Sequence, residues 1–197
     1  MPPEPALFLD RDGVIVEEAE YLSDPAQLRL IPGTGAAIAR VNARGIRVIV
    51  VTNQAGVARG YFPEERVGEV HERLSVLLAA HGAHIDHYYY CPHHPTAGTG
   101  AYGRPCSCRK PEPGMLLQAA RDFDLDLARS FLVGDKISDL EAGLAAGCRT
   151  ILVETGYGRA QAVFLNRLDV RRVALAKDLG QAVDLALPFL AFYRRAG

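Results

Sequence analysis

Two carboxylates stand two residues apart, Asp10 and Asp12, in the string Phe8-Leu-Asp-Arg-Asp-Gly-Val14 directly after an apolar run. Such a pair can divide labour at a phosphorus centre. One acid, Asp10, binds a divalent cation and attacks; the other, Asp12, protonates the leaving oxygen and then activates water. Taken alone, the string fits a solvated acidic turn equally well. It does not fit a calcium loop, because Val14 and Tyr21 occupy positions that would have to supply oxygen ligands.

Three more polar clusters follow. Thr52-Asn53-Gln54 offers a hydroxyl and backbone amides for non-bridging phosphate oxygens. Lys110, between Arg109 and Pro111, offers a cation for a transferring phosphoryl group. Gly134-Asp135-Lys136, with Asp139, offers hard oxygen ligands suited to magnesium. Each has a plainer meaning by itself: a turn, a solvated lysine, and acids in the first turn of a helix.

A different chemistry lies between 91 and 109. Cys91, His93, Cys106 and Cys108 supply three thiolates and an imidazole, enough for a closed tetrahedral zinc site. With four protein ligands no position stays open, so such a zinc is structural. His94 competes for the imidazole place, and buried thiols or a disulfide are the plainer alternatives. Arg109 and Lys110 follow Cys108 directly, so a clamped loop would hold both cations in place.

The elements that must position these groups are legible from pattern. Short apolar runs at Ala6–Leu9, Val48–Val51, Phe131–Val133 and Thr150–Val153 read as buried parallel strands. Helical spacing separates them at 35–44, 64–80, 113–122 and 138–146, with Ser138 as a cap and Gly147 as a stop. A closing helix over 178–195 is expected to break at Pro188, and Tyr88–Tyr90 to form a strand feeding the cysteine loop. Alternating strands and helices predict an α/β fold, a Rossmann-like parallel sheet covered on both faces, with 1–197 as a single domain. In such sheets ligands bind beyond the carboxyl ends of the strands, where the polar clusters sit.

Basic and acidic residues number 22 and 23, a balance that gives no support for a nucleic-acid partner. No apolar stretch approaches the roughly 20 residues of a membrane span, and the start Met1-Pro-Pro-Glu-Pro does not resemble a secretory signal. The expectation is a cytoplasmic monomer acting on a small molecule. His71, His81, His84 and His87 lack metal spacing and read as surface or satisfied structural groups, and Cys148 as a small buried residue.

The four strand-end clusters, in this order from Ala6 to Glu154, resemble the motifs of the haloacid dehalogenase superfamily of phosphatases. The strings Tyr90-Cys-Pro-His-His-Pro95 and Cys106-Ser-Cys-Arg-Lys-Pro111 look like the heptose 1,7-bisphosphate phosphatase family, of which histidinol-phosphate phosphatases are the nearest relatives. The resemblance implies a sugar-phosphate substrate, an aspartyl-phosphate intermediate and no large cap domain. It implies magnesium on Asp10, Asp135 and the backbone carbonyl of Asp12, and a structural zinc. It implies phosphoryl stabilisation by Lys110, with Lys136 nearby, and substrate recognition by Arg109. Substrate or phosphate contact is further implied for Arg11, for Glu18, Ala19, Glu20 and Tyr21, and for Thr52, Asn53, Gln54 and Ala55. Two departures stand out: Val14 where many relatives carry threonine, and no glycine before Tyr21. Outside this class, a phosphoacceptor signalling domain or a zinc-stapled binding module are the rivals. The first fits Asp12 poorly; the second leaves the strand-end acids without a purpose.

Overall fold

The computed structural model describes residues 3–19, 21–98, 100–169 and 171–195. In chain order the elements are β1 (Ala6–Leu9), α1 (Thr34–Asn42), β2 (Arg47–Asn53), α2 (Ala55–Ala58), α3 (Glu65–Ala79), β3 (His87–Cys91), α4 (Gly114–Phe123), β4 (Phe131–Gly134), α5 (Ile137–Ala146), β5 (Arg149–Val153), α6 (Gly158–Gln161), β6 (Val173–Ala176) and α7 (Leu179–Arg195). The strands form one sheet in the order β3-β2-β1-β4-β5-β6, with every pairing parallel.

The central strands β1 and β4 and the middles of β2 and β5 are apolar because both sheet faces are covered there. Side chains alternate across a strand, so Leu7 and Leu9 join one core cluster while Ala6 and Phe8 join the other. Strand β2 repeats the division, with Val48 and Val50 against Ile49 and Val51. One face packs on Ile38 and Val41 of α1, Leu74 and Leu78 of α3, and Val183 and Leu190 of α7. The other packs on Met115, Leu116 and Ala119 of α4 and Ala142 of α5. Strand β1 lies between β2 and β4, so the chain changes direction across the sheet there. The crevice beyond its carboxyl end is the ligand position of such folds.

Two expectations are corrected. Helix α7 runs through Pro188 without a break; the proline is exposed while Leu187 and Leu190 beside it are buried, so packing outweighs the one lost hydrogen bond. Ser138 does not cap α5. The Lys136 amide donates instead to the Asp139 carboxylate, at 2.9 Å, and Gly147 ends the helix at φ +97° as expected. Strand β6 went unread because it is a half-exposed edge of only four residues. Among the described residues no helix is long and apolar enough to cross a membrane.

His71 is neither on the surface nor satisfied. Its ring stacks on Tyr88 at 4.5 Å, it is 6% exposed, and its Nε2 is buried without a partner. Burial, helped by the nearby Arg11 charge, pushes its pKa down to about 3. The unfolded chain therefore takes up this proton first. The resulting contribution to stability is complete above pH 6.5 and is lost as pH falls toward 3, by up to about 1.4 kcal/mol per pH unit. Denaturant titrations at pH 7, 6 and 5 are expected to show a steeper acid loss for the wild type than for His71→Phe. Equal slopes would contradict the burial account.

Candidate active site

Strand β1 delivers Asp10 to the crevice, its amide held by the Val133 carbonyl of β4 at 2.9 Å. Strand β2 delivers Thr52 and Asn53, and β4 delivers Asp135. Asp10, Thr52 and Asn53 line a cleft of about 570 Å³ together with Asp12, Glu18, Tyr21, Gln54, Ala55, Arg109, Lys110, Lys136 and Asp139, while Asp135 is fully buried and outside the lining.

Lys110 is the centre of the floor. Its side chain is 1% exposed, and its ammonium is 3.0 Å from Asp10 Oδ1 and 2.7 Å from Asp139 Oδ1. It also donates to the Val51 carbonyl at 2.7 Å. All three protons are thereby placed. Burial alone would lower the lysine pKa, but Asp10 and Asp139 outweigh it and hold the group protonated. Asp10 is pushed up to about 6, by burial first, with Lys110 pulling the other way.

The backbone of Lys110 is held equally firmly. The Asn53 carboxamide donates to the Lys110 carbonyl at 3.0 Å and accepts from the Lys110 amide at 3.1 Å. Asn53 thus lines the cleft, but its side chain is spent on fixing the lysine. Gln54 Nε2 donates to Asp12 Oδ2 and to Thr52 Oγ1, both at 2.9 Å.

Asp135 shows what a cation would find. Its Oδ2 accepts from the Tyr157 amide at 2.9 Å, while its Oδ1 is buried without a hydrogen bond. Burial, and then the charge of Asp10, pushes it up to about 7. Ligand oxygens of Asp10, Asp135 and Asp139 lie within 4.8 Å of one another. A buried, hard, negative cluster with an orphaned oxygen fits magnesium. The Asp12 side chain is not in this cluster; the sequence reading assigned it a ligand role only through its carbonyl.

Other site residues divide. Lys136 pairs with Glu18 at 3.1 Å and lies 4.5 Å from the Tyr157 ring centroid. Its pKa rises although burial opposes, because Asp135, Asp10 and Glu18 surround it. Tyr21 adopts φ +64° and meets Tyr61 edge to face, at 4.7 Å between centroids. Ala19 is exposed and lies outside the cleft lining, and Glu20 lies outside the described residues. Arg11 does not line the cleft at all: its side chain is 1% exposed and turned onto Asp12. That side chain is therefore not placed to make the substrate or phosphate contact that the resemblance implies for Arg11.

Sequence reasoning missed Ser138 and Tyr157, both in the cleft wall. The signal for Tyr157 was the Thr155-Gly-Tyr-Gly158 string after β5, a fifth strand end with turn chemistry.

Behind the cleft, Cys91 Sγ lies 3.4 Å from Cys106 Sγ and 3.1 Å from Cys108 Sγ. His93 Nδ1 lies 3.7 Å from Cys91 Sγ and 3.5 Å from Cys108 Sγ. All four cysteines are free thiols. His94 faces elsewhere, its Nδ1 accepting from the Ala97 amide at 2.9 Å. Three soft donors and one imidazole brought this close suit zinc. Arg109 Nη1 donates to the His93 carbonyl at 3.1 Å, joining this cluster to the cleft wall. Glu64 ties the loop down from the other side, accepting from the hydroxyls of Tyr90 and Tyr102 at 3.0 and 2.6 Å.

Residues 107–182 match the HAD-hydrolase-like family model. The chain is 42% identical over 193 residues to the D-glycero-D-manno-heptose-1,7-bisphosphate 7-phosphatase of Thermosynechococcus vestitus, covering 96% of this chain and 98% of that one. It is 45% identical over 152 residues to the D-glycero-beta-D-manno-heptose-1,7-bisphosphate 7-phosphatase of Pasteurella multocida, covering 77% and 82%. Among solved structures it is similar to D,D-heptose 1,7-bisphosphate phosphatase from B. bronchiseptica complexed with magnesium and phosphate. That match has a TM-score of 0.84 and 35% identity, over 93% of this chain and 98% of that one.

The approach of loops around Asp135 allows a direct test. Gly13 has φ +80°, and a Cβ there would stand 2.2 Å from Asp135 Oδ2. Gly33 has φ +87° but open space around it. Gly33→Ala is expected to cost only the left-handed backbone term, about 1–2 kcal/mol. Gly13→Ala should cost clearly more, of order 3 kcal/mol, because the clash adds to it. Urea midpoints of the two variants would show the difference; equal losses would contradict it.

Proposed function

The chain belongs to the D-glycero-D-manno-heptose-1,7-bisphosphate 7-phosphatase family of the haloacid dehalogenase superfamily, and from that premise we propose that it hydrolyses a heptose 1,7-bisphosphate at the 7-phosphate. The observation that carries the reading is the buried Lys110 ammonium, 3.0 Å from Asp10 Oδ1, at the floor of a polar cleft. We read 1–197 as one phosphatase domain, with the loop at 91–109 as its metal-held part.

Asp10 attacks the phosphorus in line, forming an aspartyl phosphate as the ester P–O bond breaks, and Asp12 gives its proton to the sugar oxygen. Asp12 then takes a proton from water as that water attacks phosphorus; the Asp10–phosphorus bond breaks and inorganic phosphate leaves. Lys110 and the hydroxyl of Thr52 balance charge on the transferring group. Asp10, Asp135 and the Asp12 carbonyl hold magnesium, which supplies Lewis-acid neutralisation of the phosphoryl oxygens. Arg109, Lys136, Glu18 and Tyr21 line the sugar side of the cleft. Cys91, His93, Cys106 and Cys108 hold zinc, whose work is to fix Arg109 and Lys110 rather than to react.

Phosphate release with magnesium is expected from heptose 1,7-bisphosphate ahead of histidinol phosphate and common sugar phosphates, with both heptose anomers compared. Asp10→Asn should lower it by several orders of magnitude. Preference for histidinol phosphate would keep the chemistry and replace the substrate; wild-type-like activity of Asp10→Asn would sink the mechanism. Metal analysis should find one zinc per chain, lost in Cys108→Ser together with several degrees of melting temperature. A zinc-free wild type of unchanged stability would refute the clamp.

A further inference from the structure

Arg11 is among the largest fully buried side chains of the protein, yet it sits one residue from the nucleophile of the proposed reaction. Its Nε donates to Asp12 Oδ1 at 3.1 Å and its Nη2 to Asp12 Oδ2 at 3.0 Å. The pair is therefore a parallel fork on one carboxylate. The remaining nitrogen, Nη1, is buried without a hydrogen-bond partner. An unpartnered buried donor costs free energy, and burying an ion pair seldom repays its desolvation. Arg11 is thus a poor device for stability. Burial keeps it off any substrate, and a guanidinium does not give up its proton. Whatever it does in the reaction it does through Asp12.

We propose that Arg11 is a positioning residue: its buried fork fixes the carboxylate plane of Asp12 so that one oxygen is presented for proton exchange in both half-reactions. The asymmetry of the contacts identifies that oxygen. Asp12 Oδ2 accepts from Arg11 Nη2 and from Gln54 Nε2, whereas Oδ1 accepts from Arg11 Nε alone. Oδ1 keeps room for a proton and is the oxygen that exchanges it. Gln54 supports the same orientation from the cleft side and is itself tied to Thr52. The lysine at 110 cannot do this work, since its three protons already have acceptors.

The inference rests on the two-step phosphatase reading, and leaving groups separate the two. In the first half-reaction, Asp12 gives its proton to the departing oxygen as the ester bond to phosphorus breaks. In the second, it takes the proton of the attacking water as the bond from phosphorus to Asp10 breaks. An activated ester such as 2,4-dinitrophenyl phosphate departs without an acid, but its phosphoenzyme still needs a base. With the magnesium-loaded full-length enzyme, Arg11→Gln is therefore expected to release about one equivalent of dinitrophenolate per chain in a fast burst, followed by slow turnover. On a sugar phosphate the same variant should lose roughly 100-fold in kcat with KM within about threefold, the low end of general acid–base contributions. Arg11→Lys, which keeps the charge but offers no fork, should show the same burst with a smaller loss. It decides the question if Arg11→Gln does not fold. Equal losses on both esters without a burst, or wild-type kinetics in both variants, would overturn the positioning role. A wild type that hydrolyses neither ester would overturn the phosphatase reading itself and this inference with it.

Discussion

Asp10, Asp135 and Asp139 converge where β1 and β4 end, their ligand oxygens within 4.8 Å of one another. Two unit charges about 4 Å apart repel by about 4 kcal/mol at an effective dielectric of 20, so the cluster can be ionised only if cations share it. Lys110 meets that need from below, bridging Asp10 and Asp139. Lys136 adds a second charge 3.9 Å from Asp135 Oδ1, yet that buried oxygen still has no hydrogen bond. A phosphoryl dianion entering such a site requires still more positive charge, and the same cluster that repels itself is the one that gathers the cation.

Holding an ammonium at that point demands a rigid backbone, and the surrounding structure supplies it in layers. Asn53 clasps the Lys110 peptide on both sides. The pairing of β2 with β3 sets Asn53 beside Cys91, so the first thiol of the cysteine cluster is in register with the clasp. Arg109 bonds to the carbonyl of His93. The loop that looks remote from the chemistry is thus two residues from the lysine on one side and paired with its clasp on the other. Preorganisation of this kind removes the entropic cost of arranging charges at each turnover.

The parallel sheet and its helices were legible because the physics that writes them is local. Apolar runs of three or four residues between amphipathic helices can bury both faces only in a covered parallel sheet. Three of the clusters were legible for the same reason, since Asp10, Thr52 and Asp135 end their runs or follow them directly; Lys110 follows the cysteine loop instead of a strand. Pro188 misled because helix breaking is also a local rule, and the apolar contacts of α7 override it. Ser138 escaped because nothing in its neighbouring residues announces a cleft, and the string around Tyr157 announces only a turn after β5; both line the cleft because β4 and β5 end side by side.

What the sequence determined by itself was which groups carry the chemistry: two carboxylates at a strand end, a cation after a cysteine loop, a second acid on another strand. Residue type and spacing suffice for that. What only the tertiary structure decided was how those groups face one another. Arg11, a substrate or phosphate contact by resemblance, turns its buried side chain onto Asp12. Asn53 and Gln54 belong to a segment read as offering backbone amides to phosphate, and their side chains hold Lys110 and Asp12. His93 rather than His94 turns to the thiols. The direction of a side chain depends on long-range packing and on which donors remain unspent, and neither is written in the order of residues along the chain.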